Sequence, residues 1–298
     1  MYILKSLKLE VLQKRPVYLL LFFVAIAIFS CTKDYSLENG NNINDPLIVG
    51  IDCRINKIVY NDSATGIPQG SVGAVINAKD TVTDISQFDS VGNTIVSFDH
   101  LVYSADTIFI NPQEFFVADF ANGGRIYRLH GLTNPQDPFS AQFDLDYSYD
   151  AGGYLVQKSY SLSTNPGSPY YVVNYTYSGG NLMQMTGTDV ASGSLIVDAV
   201  LHYYLLAPHR YIYLFPDELA YPQYNQFLNF GNKTTNAIKD LKIRYYDIGN
   251  IIRDSTVSTF VGYAMSRDNY VLSVYMNGDD QFSIPAQSGK LSFGYKCN

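Results

Sequence analysis

The residues through which this chain could do chemistry are few: four histidines, three cysteines and a pair of closely spaced aspartates. His100, His130, His202 and His209 share no metal-ligand spacing on one element, so structural or exposed roles are expected of them. Asp144 and Asp146 stand two apart, which puts both on one face of a strand. Such a pair can hold a cation or serve glycoside hydrolysis, and in a sheet it also makes an ordinary solvated face. Asn277-Gly278-Asp279-Asp280 carries acidic side chains in a turn but lacks the full ligand pattern of a calcium loop. No GxSxG, HExxH, CxxC or GxGxxG occurs, and Gly289-Lys290 lacks the rest of a phosphate-binding loop. The expectation is a protein without metal or cofactor that is not an enzyme; a glycosidase-like hydrolase is the alternative that the carboxylates and histidines keep open.

Aromatic side chains are the one abundance with functional potential. There are 26 tyrosines and 17 phenylalanines against no tryptophan. A tyrosine ring offers a flat apolar face for stacking and a hydroxyl for hydrogen bonding. Tyr170, Tyr171, Tyr203, Tyr204, Tyr211, Tyr213 and Tyr221 fall near expected loops and form the expected binding surface.

What must position these residues is β-structure, because period 2 dominates. Phe143, Leu145, Tyr147 and Tyr149 alternate with Asp144, Asp146, Ser148 and Asp150, and Val173, Tyr175 and Tyr177 alternate with Asn174, Thr176 and Ser178. One apolar and one solvated face per strand is the pattern of an antiparallel sheet. Tyr175-Thr176-Tyr177-Ser178-Gly179-Gly180-Asn181-Leu182 reads as a strand, a Gly-rich turn and a second strand. The motif recurs: Phe120, Tyr149, Tyr177, Tyr204, Tyr246 and Tyr275 mark successive copies at gaps of 29, 28, 27, 42 and 29 residues. A near-constant period of this size signals an array of equal hairpins.

The long gap contains an insert. Pro222 suits a first helical position, Gly231 a C-terminal cap, and Tyr224, Phe227 and Leu228 share a face, so a short helix is expected near 222–230, packed over an end of the sheet; an irregular loop is the other reading. More than ten strands in a meander curl into a barrel or split into two sheets. Strands of mostly five to eight residues are short for a bilayer-spanning barrel, which needs about nine to eleven. The expected fold is all-β: an antiparallel meander of hairpin repeats curled into a soluble barrel or half-barrel, aromatic face inward.

The repeats at Tyr147–Leu155, Tyr175–Leu182 and Tyr245–Ile252 resemble YD-type hairpins, although Ser178 replaces the aspartate in one and the Tyr204 unit lacks the glycines. The insert Phe230-Gly231-Asn232-Lys233-Thr234-Thr235-Asn236-Ala237-Ile238 is similar to one in a group of uncharacterised Bacteroidota lipoproteins with a porin-like fold. The resemblance covers about residues 115 to 297. It implies a β-meander barrel and no particular activity.

Compartment is read from the start of the chain. Lys5, Lys8, Lys14 and Arg15 precede an apolar run from Val17 to Phe29, too short for a spanning helix and arranged as a secretory signal. Ile28-Phe29-Ser30-Cys31 resembles a lipobox, which makes residues 1–30 a leader and Cys31 the lipidated first residue. Residues 31–47 read as a flexible tether similar to the acidic segments that send Bacteroidota lipoproteins to the outer membrane, and 48–298 as one β-meander domain. Loss of the leader removes four basic groups against one acid and moves the formal charge from −7 to about −10. That charge argues against nucleic acid as a partner. Cys53 and Cys297 remain, one near each end of the domain, either as a disulfide or as two buried thiols. The expected function is an outer-membrane or cell-surface lipoprotein that binds a glycan, an apolar ligand or an envelope protein without catalysis. A periplasmic carrier of an apolar ligand is the alternative.

Overall fold

The structure, a computed structural model, describes residues 53–62, 65–89, 94–134, 139–208, 224–247, 249–278 and 288–297. All of them belong to one compact unit, Asp45–Asn298. The leader, Cys31 and the tether lie outside the described residues, as do Tyr211, Tyr213, Tyr221 and Pro222.

The strands follow in order: β1 (Cys53–Asp62), β2 (Pro68–Ile76), β3 (Val82–Asp89), β4 (Thr94–His100), β5 (Val102–Ser104), β6 (Thr107–Asn111), β7 (Glu114–Asp119), β8 (Arg125–Leu132) and β9 (Gln142–Tyr149). They continue as β10 (Leu155–Leu162), β11 (Tyr171–Ser178), β12 (Asn181–Asp189), β13 (Leu195–Pro208), β14 (Asn236–Asp247), β15 (Ile251–Met265), β16 (Val271–Asn277) and β17 (Ser288–Cys297). Sequence neighbours pair antiparallel except at β4 and β5, and β1 pairs with both β2 and β17, which makes a nearly closed barrel. The seam lies at β4 and β5. These are two halves of one bent strand around the buried Leu101, the first half pairing with β3 and the second with β6.

The alternation in the sequence decides which face goes in. Leu145 and Tyr147 of β9, Val173 and Tyr175 of β11, Met185 of β12, Leu201 of β13 and Leu241 of β14 are buried in one continuous apolar cluster. Asp146 and Ser148, Asn174 and Thr176, Gln184 and Thr186 take the opposite face. A barrel that faced lipid would carry its apolar side outward and its polar side in; β9, β11 and β12 are built the other way round. Among the described residues no helix is long and apolar enough to cross a membrane.

The hairpin at Tyr175 has the turn its sequence demands. Gly179 and Gly180 both have positive φ, 56° and 78°, between the paired Ser178 and Asn181. Left-handed backbone at both central positions matches the right-handed twist of the flanking strands. Cys53 and Cys297 are direct cross-strand partners on β1 and β17, 4.0 Å apart at Cα and joined by a disulfide. It ties the first strand of the meander to the last.

The expected helix near 222–230 is corrected. The described part is a single helical turn in which the amides of Phe227 and Leu228 donate to the carbonyl of Tyr224, after which the chain extends. The apolar residues that suggested a helix face, Tyr224, Phe227 and Leu228, are buried together with Phe230, but in a strap.

Candidate functional site

The strap, residues 224–236, crosses one end of the barrel and fastens its hairpin turns. Asn229 gives its Nδ2 to the carbonyl of Gly123 at 2.9 Å and takes the amide of Ile126 on its own carbonyl at 2.9 Å. Asn232 binds the next turn, its amide on Gly153 O at 2.8 Å and its Nδ2 on Gly152 O at 2.5 Å. Thr235 binds the third through its amide on Gly180 O at 3.0 Å, while Asn181 Oδ1 accepts from the amides of Thr235 and Asn236. The fasteners recur every third residue. Three residues of extended chain span about 10 Å, close to the two strand spacings that separate alternate turns in a sheet. The strap passes close to one turn glycine, Gly180, where a Cβ would lie 2.3 Å from Thr235 Oγ1, and at the strap's own Gly231 a Cβ would lie 2.6 Å from Gly153 O.

Below the strap the barrel is packed with rings. Phe116 meets Tyr224 at 5.1 Å and Phe230 at 6.1 Å between centroids, and Tyr147 meets Phe230 at 5.2 Å. Charged groups gather near this end. Arg54 gives its guanidinium to the carbonyls of Asp80 and Phe227, at 2.6 and 2.8 Å. Lys233 is half-buried as a whole residue, yet its ammonium is desolvated and feels Arg54, which pulls its pKa down to about 7. Burial pushes the Asp99 carboxyl up against the opposing hydrogen bond from Tyr224, and pushes the Tyr103 hydroxyl up to about 12.

Beside the strap lies a cavity of about 640 Å³ lined by Ala105, Asp106, Ala118, Asp119, Phe120, Arg125, Tyr127 and Tyr149. Its position follows from three local features: the tight turn between β5 and β6, the 3₁₀ turn Phe120–Asn122 after β7, and the outward positions Arg125 and Tyr127 that flank inward Ile126 on β8. Tyr149 forms one wall. Its hydroxyl donates to Ile126 O at 2.5 Å, and the Arg125 guanidinium sits over its ring, 5.0 Å from the centroid. The Nε of Arg125 is buried and has no hydrogen-bond partner. Asp106 Oδ1 accepts from Thr107 Oγ1 at 3.0 Å and Asp119 Oδ1 from the amide of Ala121 at 3.1 Å. Phe120 and Tyr127 stay 43% and 41% exposed. An arginine donor, two carboxylates and flat rings around a space of this size can hold a small polar molecule.

Of the tyrosines expected to form the binding surface, the four that are described, Tyr170, Tyr171, Tyr203 and Tyr204, do not come together. Tyr170 is exposed at the opposite end of the barrel, in the turn before β11. Tyr171 and Tyr203 are corrected: both point inward and are buried, Tyr171 against Tyr160 and Tyr203 with its hydroxyl on Leu182 O at 2.6 Å. Tyr204 is half-buried and donates to Phe260 O at 3.1 Å. The cavity was missed, and one signal marked it: after the paired glycines, the other copies carry Tyr154 or Asn181, and this one carries Arg125.

Three histidines are absorbed by the sheet. His100, His130 and His202 each face an aspartate directly across a strand pair, Asp84, Asp144 and Asp240, with Nδ1–Oδ1 distances of 2.7, 2.7 and 2.5 Å. The hydrogen bond from His100 holds the Asp84 carboxyl below the usual carboxylate range. Asp146 pairs with Arg128 at 2.6 Å. Ser163 Oγ comes within 3.4 Å of His130 Nδ1, but Asp144 holds that same nitrogen, so no relay from carboxylate through imidazole to hydroxyl exists there. Asp144 and Asp146 are thus spent on separate cross-strand pairs, and among the described residues no three His, Cys, Asp or Glu side chains group as metal ligands.

No family model matches the chain, and no curated protein matches it in sequence. Among solved structures it is similar to a porin-like protein from Bacteroides uniformis, with 12% identity and a TM-score of 0.54 over 81% of this chain and 96% of that one. It is also similar to a porin-like protein from Bacteroides vulgatus, with 12% identity and a TM-score of 0.47 over 82% of this chain and 99% of that one. At this identity the first likeness establishes the barrel fold and nothing finer.

Proposed function

We propose that this is a lipid-anchored envelope protein that binds a ligand without transforming it, at the cavity beside the strap. The observation that carries the reading is the cavity itself, about 640 Å³, in which the Arg125 guanidinium and the carboxylates of Asp106 and Asp119 stand beside the exposed rings of Phe120 and Tyr127. The absence of a relay or metal cluster among the described residues, together with Asp144 and Asp146 held in separate pairs, supports binding over hydrolysis.

The envelope location rests on sequence: the basic start, the apolar run to Phe29, Cys31, and a polar tether before the barrel. The fold likeness to porin-like proteins from Bacteroides is in keeping with it. The outward polar faces of β9, β11 and β12 favour a barrel held at a membrane by its tether over one embedded in it. The carrier reading has less to rest on, because the described cavity lies at the rim while the interior near the strap is filled by Phe116, Tyr147 and Phe230. Labelling cells with radioactive palmitate tests the anchor: wild-type chain should take up label and Cys31→Ala should not. Label retained in Cys31→Ala, or none in either, would remove the anchor from the proposal.

A further inference from the structure

We infer that the cavity takes a neutral glycan. This rests on the reading above that the cavity is a binding site, and adds the chemistry of the occupant. The lining presents one guanidinium against two carboxylates, Arg125 against Asp106 and Asp119. An anionic ligand would pair with Arg125 but face two like charges, Asp106 and Asp119. A cation would meet the reverse difficulty at Arg125. An apolar molecule would offer no acceptor to the guanidinium and no donor to the carboxylates that line the cavity.

A sugar hydroxyl both accepts and donates, so neighbouring hydroxyls of one ring can take the N–H of Arg125 and give their own protons to Asp106 or Asp119. Sugar rings also have a C–H face that lies flat on an aromatic ring, and Phe120 and Tyr127 keep theirs open to solvent. Arg125 is held for this task from behind, stacked on Tyr149, with Gly153 leaving room for the guanidinium: a Cβ there would stand 3.0 Å from its Nη2. The volume, about 640 Å³, falls within the range of small-ligand pockets, ~300–1,000 Å³, and has room for more than one sugar ring.

The test is calorimetric titration of the purified full chain with maltotriose, cellotriose and xylotriose, and with glucuronic acid as the charged probe. At least one neutral trisaccharide should bind, and Tyr127→Ala and Arg125→Lys should each weaken it tenfold or more. Tyr170→Ala, at the other end of the barrel, should leave it unchanged. Matching thermal midpoints show that the variants are folded. If only glucuronic acid binds, and Arg125→Lys abolishes that binding, the neutral-glycan inference falls while the cavity stands as a site. If a trisaccharide binds and both variants bind it equally well, the cavity is not the site and both readings fall. No binding of any probe overturns the glycan inference.

Discussion

The stretch from β8 to β12 and the stretch from β2 to β7 are made by the same meander yet behave differently. In the first, strands run 8, 8, 8, 8 and 9 residues, and the turns at one end are fastened by the strap. In the second, lengths are uneven at 9, 8, 7, 3, 5 and 6 residues. The β5–β6 ladder ends at Val102↔Phe109, so the lower residues of β4 run past it, and Ile95, Val96 and Phe98 stand 55%, 65% and 57% exposed. Equal units bury their apolar face because each neighbour is as long as the strand it covers. In the unequal stretch Val72, Ile85 and Phe116 are still buried but part of β4 is left uncovered, and the cavity lies where the short units meet the regular ones, between the β5–β6 turn and β8.

Four experiments would break or sharpen this contrast, from the greatest effect down. Alkali should act first on the irregular stretch and later on the long strands β13 and β15. Burial raises Tyr103, in the irregular stretch, to about 12, and raises Tyr203 and Tyr263 further. A raised folded pKa gives stability that is full below the unfolded value near 10 and is lost as pH rises through the folded one. Absorbance at 295 nm should show Tyr103 ionising near pH 12 while Tyr203 and Tyr263 ionise only on unfolding; ionisation of all three near pH 10 would deny their burial. Next, replacing Cys53 and Cys297 together by serine opens a loop closed over a separation of 244 residues and should cost about 2–5 kcal/mol in denaturant unfolding. Alkylation mass with and without reductant checks the bond itself.

Third, Leu241→Ala in the buried face of β14 should cost about 2–5 kcal/mol. Phe98→Ser on exposed β4 should change stability by no more than about 0.5 kcal/mol. Comparable losses in both would show that β4 is covered in solution. The smallest contrast sets Gly180→Ala against Gly66→Ala. Both have positive φ, 78° and 68°, which costs an alanine roughly 1–2 kcal/mol. Only Gly180 also has the strap against it, so its loss of thermal stability should be the larger; Gly66 has nothing within 4 Å.

Much of this architecture was legible from the residues. Tyr147 and Tyr175 announce the inward face through alternation alone, and Gly179-Gly180 announces a turn, because both are local consequences of backbone geometry. The strap was legible in place but not in form. Tyr224, Phe227 and Leu228 have helical spacing, but Asn229 and Asn232 draw the backbone into bonds with two separate hairpins, and those long-range bonds override local propensity. The cavity was not legible, since Asp106 of the β5–β6 turn, Arg125 at the start of β8 and Tyr149 at the end of β9 meet only when the sheet is assembled. Tyr171 and Tyr203 misled because a tyrosine beside a loop and a tyrosine in a core look alike until the register is known.

The strap also constrains how such a protein can grow. Each hairpin added between β8 and β12 inserts about 28 residues in the wall, and would push one more turn between those now held by Asn229, Asn232 and Thr235. The strap would then fall short by one interval, three residues. Duplication of a repeat is therefore tolerated only with a matching three-residue insertion elsewhere in the chain, so the length of residues 224–236 records how many hairpins the barrel has acquired.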